Sequence, residues 1–345
     1  MSSTPAIRNV AIVGASGNIG RSANSSILAL RSSTCRPSHI HLQHALTSPS
    51  SSITRALLAL PSPPTITAIT RATSTATFPS SLKVAKGNLD DDAFVLSTLQ
   101  GQDVLILCLS FAVPITSQHH FIDLASRAGL KYIIPTEFGS DTDNAAITDA
   151  VPMLAAKKPV REYVEEVGRR KGTGLKWIGI VNNPWTDYSL AHGMFGISVK
   201  EKRATLFTDG GVHIQFHTTT LAQAGRAVAA LMTLPASELQ KYENKLVYVS
   251  SFRVSGKELL RAVQKATGTK EEEWTVDVKT VQERREKGLR ELEAGNPMGM
   301  VELLYAATMT KGLGDEYPGG KMMNEELGLP QESLDEWMEE FVAKI

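Results

Sequence analysis

The sequence predicts an α/β protein built on a doubly wound parallel sheet with a smaller C-terminal lobe, and three observations predict it. Short apolar runs alternate with helix-like stretches through the first half of the chain, the pattern of strands joined by helical crossovers. The first of these runs, residues 10–13, leads directly into a glycine-rich turn, Gly14-Ala-Ser16-Gly17-Asn18-Ile19-Gly20. From Ala191 onward the alternation loosens into Gly-rich turns and short Lys/Glu-rich helices, which suits a separate, smaller body.

Strands are expected at residues 10–13, 65–70, 82–85, 104–109, 132–134, 177–181 and 246–249, with the clearest helices at 92–99, 119–128 and 160–169. A strong amphipathic period over 221–234 predicts a further helix. The acidic run Glu271-Glu272-Glu273 reads as a solvated face. These elements place a nucleotide-binding domain at 1–183 and a mainly substrate-binding lobe at 184–345, with 205–250 returning to the first domain.

A chain of 345 residues, 42% hydrophobic, buries a substantial core. Its longest apolar run, 104–113, is about half of the ~20 residues that span a bilayer, so no membrane span is expected. The N-terminus lacks a signal-peptide layout, and the expected location is cytoplasmic. Cys35 and Cys108 cannot form a disulfide framework and lack metal-ligand spacing. The zero net charge hides an asymmetry: residues 1–89 contain no acid and carry +8, and the remainder carries −8. These cations are scattered, without interleaved aromatics, so a phosphate-rich small molecule is expected as the partner rather than nucleic acid.

The glycine turn is the Rossmann fingerprint in context. Gly14 permits the tight turn, Gly17 lets the backbone approach a pyrophosphate, and Gly20 allows close helix-to-strand packing. Ser16, Asn18 and Ile19 fall in the same cofactor-binding loop. The second strand ends in Arg71, a cation that pairs with the 2′-phosphate of NADP, where a carboxylate would favour the NAD ribose. NADPH is therefore the expected cofactor, with Asn88 in the loop after the third strand beside the adenine.

The spacing of this fingerprint is interrupted. Gly20 and Arg71 lie 51 positions apart, against about 20 in a Rossmann unit. The excess falls in residues 23–52, Ser-rich, without an acid or a clear period, and read here as an insertion: translated intron or surface excursion. Its histidines, His39, His41 and His44, lack the carboxylate or thiol company of a metal set apart from Cys35, and no metal is expected. Without the segment, Gly20-Arg21-Ser22 would join Ile53-Thr-Arg-Ala-Leu-Leu-Ala-Leu60 in one continuous amphipathic helix, and were the segment part of the protein the first helix could instead start at Ser25.

Tyr-x-x-x-Lys, the common short-chain dehydrogenase pair, occurs only as Tyr317-Pro-Gly-Gly-Lys321, where Pro and two glycines break a helix. The match is taken as chance. Instead, the fifth strand runs into Pro135-Thr-Glu137-Phe138-Gly139, followed by Lys157-Lys-Pro-Val-Arg161. With the glycine turn, with Asn182-Asn183-Pro-Trp185 and Asp187-Tyr188-Ser-Leu190, with Thr218-Thr-Thr-Leu-Ala222 and with the segment 324–335, these motifs resemble the NmrA-like and isoflavone-reductase-like families of atypical short-chain dehydrogenases. The resemblance covers nearly the whole chain except 23–52.

That resemblance implies a Rossmann fold, a nicotinamide cofactor and a catalytic lysine at Lys157, with Pro135, Glu137, Phe138, Asn183, Trp185 and Tyr188 around the substrate. Two departures stand out: Pro159 lies within the lysine motif, and Lys158, beside Lys157, is the alternative amine. Pro159 predicts a helix starting near Lys158, whose positive end would lower the pKa of Lys157. His192 and Phe195 are further candidates for a flat aromatic pocket, although Trp185 and Phe195 read more readily as core-packing residues. The functional expectation is an NADPH-dependent reductase of a small aromatic or phenolic metabolite, working as monomer or homodimer. An NADP-sensing regulator that binds a partner protein without turnover, and a reductase disabled by the insertion, are the alternatives.

Overall fold

A computed structural model describes residues 5–14, 49–109, 113–170 and 172–345. Residues 15–48, which hold Ser16, Gly17, Asn18, Ile19, Gly20, Cys35 and the three histidines, lie outside the described residues, as does most of the interrupting segment.

Seven strands make the main sheet: β1 (Asn9–Val13), β2 (Thr65–Arg71), β3 (Lys83–Gly87), β4 (Val104–Leu107), β5 (Tyr132–Ile134), β6 (Lys176–Val181) and β10 (Lys245–Tyr248), in the order β10-β6-β5-β4-β1-β2-β3. The pairs from β3 to β6 are parallel. The chain therefore winds outward from β1 to β3, then returns to the other side of β1 as β4, which is the doubly wound arrangement. Every expected strand is present; β4 stops at Leu107, two residues early. Its central strands read as continuous apolar runs because both faces are covered: Val10, Ala11, Ile12, Ile69 and Val104 to Leu107 are all at 0% exposure.

The chain divides into two compact units. The first comprises residues up to Glu137, Ala156–Ile180 and Ala224–Val247. It holds the helices α1 (Pro49–Leu58), α2 (Asp92–Leu99), α3 (Gln118–Ala128) and α6 (Lys157–Arg170), with most of α8 (Leu221–Thr233) and the short α9 (Ala236–Leu239). Helix α1 begins at Pro49, inside the segment read as inserted, and buries Ile53 and Leu57 completely. Gly225 of α8 lets the two helices touch, since a Cβ there would lie 2.5 Å from the carbonyl oxygen of Ser52. Asp91 caps α2 by accepting from the backbone N–H of Ala93, and Gly129 ends α3 in the left-handed region at φ +80°.

The second unit comprises Phe138–Ala155, Val181–Gln223 and Tyr248–Ile345. Its helices are α4 (Ala145–Ala150), α5 (Pro152–Ala155), α7 (Thr186–Ala191), α10 (Gly256–Thr267), α11 (Val281–Glu293), α12 (Met298–Thr308) and α13 (Leu334–Val342). Its strands are β7 (Ile197–Ser198), β8 (Arg203–Thr208), β9 (Phe216–Thr218), β11 (Phe252–Val254) and β12 (Thr275–Thr280), arranged as a β12-β8-β7 sheet and a β11-β9 pair. Residues 138–155, expected within the first domain, belong here. Ile147, Val151 and Leu154 of α4 and α5 form one apolar cluster with Leu303 and Ala307 of α12, and that burial decides the grouping. Capping boxes at Ser255/Glu258 and Thr280/Glu283 start α10 and α11. Helices α11 and α12 cross at bare backbone: a Cβ on Gly299 would lie 2.3 Å from the carbonyl oxygen of Gly288.

Candidate active site

In the first unit the site is built where β1, β4 and β5 end. Gly14 follows β1 at φ +83°, a conformation that glycine adopts without strain. A Cβ there would lie 2.2 Å from the carbonyl oxygen of Cys108. The carboxyl ends of β1 and β4 thus come together as bare main chain at the point where the strand order reverses, the place where open α/β sheets take their ligands. Arg71 stands exposed at the end of β2, and no other described residue engages its side chain. Asn88, past β3, is also exposed, its carbonyl Oδ1 accepting from the Asp90 N–H at 3.1 Å. A Cβ-free approach at Gly14 and an uncommitted cation at Arg71 fit a phosphorylated dinucleotide.

Thr136 ties the strand ends together. Its hydroxyl donates to the Leu107 carbonyl at 3.0 Å, and its N–H donates to Oε1 of buried Gln118 at the start of α3, at 2.8 Å. The next residue is Glu137, whose N–H reaches back to the Pro135 carbonyl at 2.7 Å. This tight turn presents the Glu137 carbonyl outward along the chain to Lys157, whose ammonium donates to it.

Lys157 is the first residue of α6, and Pro159 sits in its first turn, where proline is tolerated. The lysine stands at the helix start, as its spacing from Pro159 predicts. Burial is the main influence lowering its pKa, assisted by the positive charge of Arg161 and opposed by Glu137. Lys158 is exposed, whereas Lys157 is only half-exposed and bonded to Glu137.

Beneath the lysine lies a buried ion pair. The Arg161 Nε is 3.1 Å from Oε1 of Glu137, with the two side chains only 3% and 2% exposed. The guanidinium stacks over Trp177 at 4.9 Å from the ring centroid, and the Trp177 indole N–H donates to Glu165 at 2.9 Å. Gly179 leaves the space: a Cβ there would come within 3.1 Å of the Glu137 Cγ and 2.7 Å of the Leu246 Cδ2. The Glu137 carboxylate is turned into this pair. Pro135 is buried beside it in sequence.

The second unit carries the other expected pocket residues. Phe138, 7% exposed, has φ +30°, and Asn183, 4% exposed, has φ +51°, values that strain a side-chain-bearing residue and often mark functional turns. The Asn183 amide donates to the Gly314 carbonyl at 3.3 Å. Trp185 and Tyr188 meet edge to face at 6.2 Å, and His192 stacks on Tyr188 at 4.1 Å. All three are half-buried, and the Trp185 indole N–H, shielded from solvent, has no hydrogen-bond acceptor among the described residues. Phe195 is a core residue at 0% exposure, packed on Phe216.

Sequence reasoning missed three contributors. Arg161 was only a letter in a motif, because its partner lies 24 positions away. Thr136 had no signal beyond its neighbours. Asn182, fully buried with neither side-chain amide atom hydrogen-bonded among the described residues, was passed over for Asn183. Tyr317, whose match to the Tyr-x-x-x-Lys pair is taken as chance, donates its hydroxyl to the Val249 carbonyl at 3.2 Å, and Gly319 breaks the following turn at φ +64°. Among the described residues no group of three His, Cys, Asp or Glu side chains is placed to hold a metal ion, and no helix is long and apolar enough to cross a membrane.

The reversal point, the glycine turn and the lysine at the start of α6 define a Rossmann-class protein with a second, sequence-discontinuous unit. The profile of the NmrA-like family matches residues 7–318, and the chain belongs to that family. It is 30% identical to an Aspergillus flavus protein named oxidoreductase aprR over 276 residues, 79% of this chain and 88% of that one. Its fold is similar to a crystal structure of isoflavone reductase, at TM-score 0.64, 17% identity and coverage of 97% and 99% of the two chains. It is also similar to the structure of AtPrR2 with NADP+ and (+)pinoresinol, at TM-score 0.67, 14% identity and the same coverage.

Proposed function

We propose that the protein is an NADPH-dependent reductase of a small aromatic or phenolic metabolite, with Lys157 as its proton donor. The observation that carries this reading is the Lys157 ammonium, held on the Glu137 carbonyl beside a buried ion pair and made more acidic by burial. A structural lysine has no need of that environment, and perturbed titration next to a ligand-binding strand end is a mark of functional sites. The name of the Aspergillus flavus relative and the ligands of the AtPrR2 structure support the same class of chemistry.

Gly14 with the loop that follows it, and Arg71 and Asn88, would hold the dinucleotide, Arg71 by its charge on the 2′-phosphate. When bound, NADPH supplies the hydride. The chain itself supplies the proton: Lys157 holds it at Nζ, stabilises negative charge developing on a substrate oxygen, transfers the proton to that oxygen, and is recharged from solvent. The half-buried edge of Trp185, Tyr188 and His192 supports an aromatic substrate, offering ring faces and one uncommitted indole N–H.

The test is NADPH oxidation against a panel of enones, quinones and phenolic ethers, with cofactor affinity measured separately by fluorescence. Lys157→Ala is expected to lower kcat by about 10²- to 10⁴-fold and to leave NADPH affinity unchanged. Turnover that survives the substitution overturns the role of Lys157. Tight NADPH binding by the unaltered chain, with no turnover on any substrate, identifies the sensor instead.

A further inference from the structure

Glu137 makes two contacts in opposite directions. Its main-chain carbonyl accepts from Lys157, and its carboxylate pairs with Arg161, one helical turn further along α6. Both charges bear on the lysine, the Glu137 carboxylate raising its pKa and the Arg161 guanidinium lowering it. A buried carboxylate free to reach a neighbouring ammonium forms a tight pair with it that resists giving up the proton. Here the guanidinium holds the carboxylate, and Trp177 covers the guanidinium.

We propose that Glu137 and Arg161 are positioning residues that jointly set the proton affinity of Lys157, Arg161 by keeping the Glu137 carboxylate from capturing the ammonium. The inference rests on the reading of Lys157 as the proton donor, but its geometry stands apart from any substrate. A buried ion pair is weak evidence for stability, because apolar residues of similar volume often hold a core as well. Its function here is electrostatic: the carboxylate raises the lysine's affinity for its proton, the guanidinium lowers it, and the balance leaves an ammonium that can be spent.

The two residues therefore push in opposite directions, which a purely structural role would not do. Lys157 in the full-length protein is titrated by its rate of acetylation across pH, read by mass spectrometry, with exposed Lys158 on the same peptide as the reference. Removing the acid, Glu137→Gln, is expected to move the Lys157 midpoint to lower pH; each unit is about a tenfold rise in free amine below the midpoint. Removing the base, Arg161→Gln, is expected to move it to higher pH, with Arg161→Lys restoring most of the original value.

Should Arg161→Gln fail to fold with its stranded carboxylate, the double variant Glu137→Gln/Arg161→Gln replaces it. Its midpoint should lie above that of Glu137→Gln alone, since a positive charge has been taken away. Shifts of the same sign in the two single variants, or a midpoint unmoved in both or unmoved between Glu137→Gln and the double variant, overturn the proposal. Because labelling needs no turnover, this result is independent of whether Lys157→Ala abolishes reduction. The tuning and the catalytic assignment can fail separately.

Discussion

His217 shows how a single side chain can make the fold sensitive to acid. It is 9% exposed, lies flat against the ring of Tyr317 at 4.5 Å, and meets the Ser250 hydroxyl at 3.1 Å through Nδ1. Burial, with Arg253 nearby, lowers its pKa from 6.5 to about 4. The unfolded chain therefore takes up a proton that the folded chain refuses, so this contribution is present above about pH 6.5 and is lost as pH falls toward about 4. Between pH 7 and pH 5 the loss is about 2 kcal/mol. Urea denaturation at the two pH values should show it, and His217→Gln should reduce the difference by that amount; an equal difference in both proteins would exclude His217 as the cause. None of this was legible in the sequence, because the stack and the burial bring together residues 100 positions apart. The place of Lys157 at a helix start was legible, since its motif is local. Its coupling to Glu137 was not, because the strand end and the helix start must first be folded together.

Elements were read more reliably than contacts. The central strands are legible as apolar runs because the sheet is covered on both faces, β4 most clearly as Val-Leu-Ile-Leu, and β5 falls on the expected residues, Tyr132–Ile134. Ends were less legible: β4 stops at Leu107, although the apolar run continues beyond it. Helices of the second unit were obscure because their packing relies on glycine as much as on apolar period. At the crossing of α11 and α12, Gly299→Ala would drive a methyl group into the Gly288 carbonyl, and a loss of about 1–3 kcal/mol is expected from overpacking. Gly256→Ala, at the start of α10, meets only an ordinary contact at 3.7 Å from Leu206 and should be neutral or slightly stabilising. Comparable urea midpoints for the two variants would show that the crossing is looser than its geometry.

For the molecule as a whole, the interruption in the glycine fingerprint makes a definite forecast. Helix α1 begins at Pro49 and buries Ile53 and Leu57 in the first unit, so the excision that respects it is 23–48. A chain lacking those residues should keep a single cooperative melting transition and bind NADPH no more weakly than the full chain; loss of either would show that the segment belongs to the working protein. The doubly wound class was legible because it follows from alternation and one turn. The grouping of 138–155 was not, because it depends on burial against α12, far along the chain. That grouping also sets a schedule. Ile147, Val151 and Leu154 leave the ribosome well before Leu303 and Ala307 cover them, a gap of roughly 7–30 s at ~5–20 residues per second. During synthesis this apolar face is bare for longer than most local structure takes to form, so slowing elongation between α5 and α12 should raise the share of newly made chains captured by chaperones or lost to aggregation.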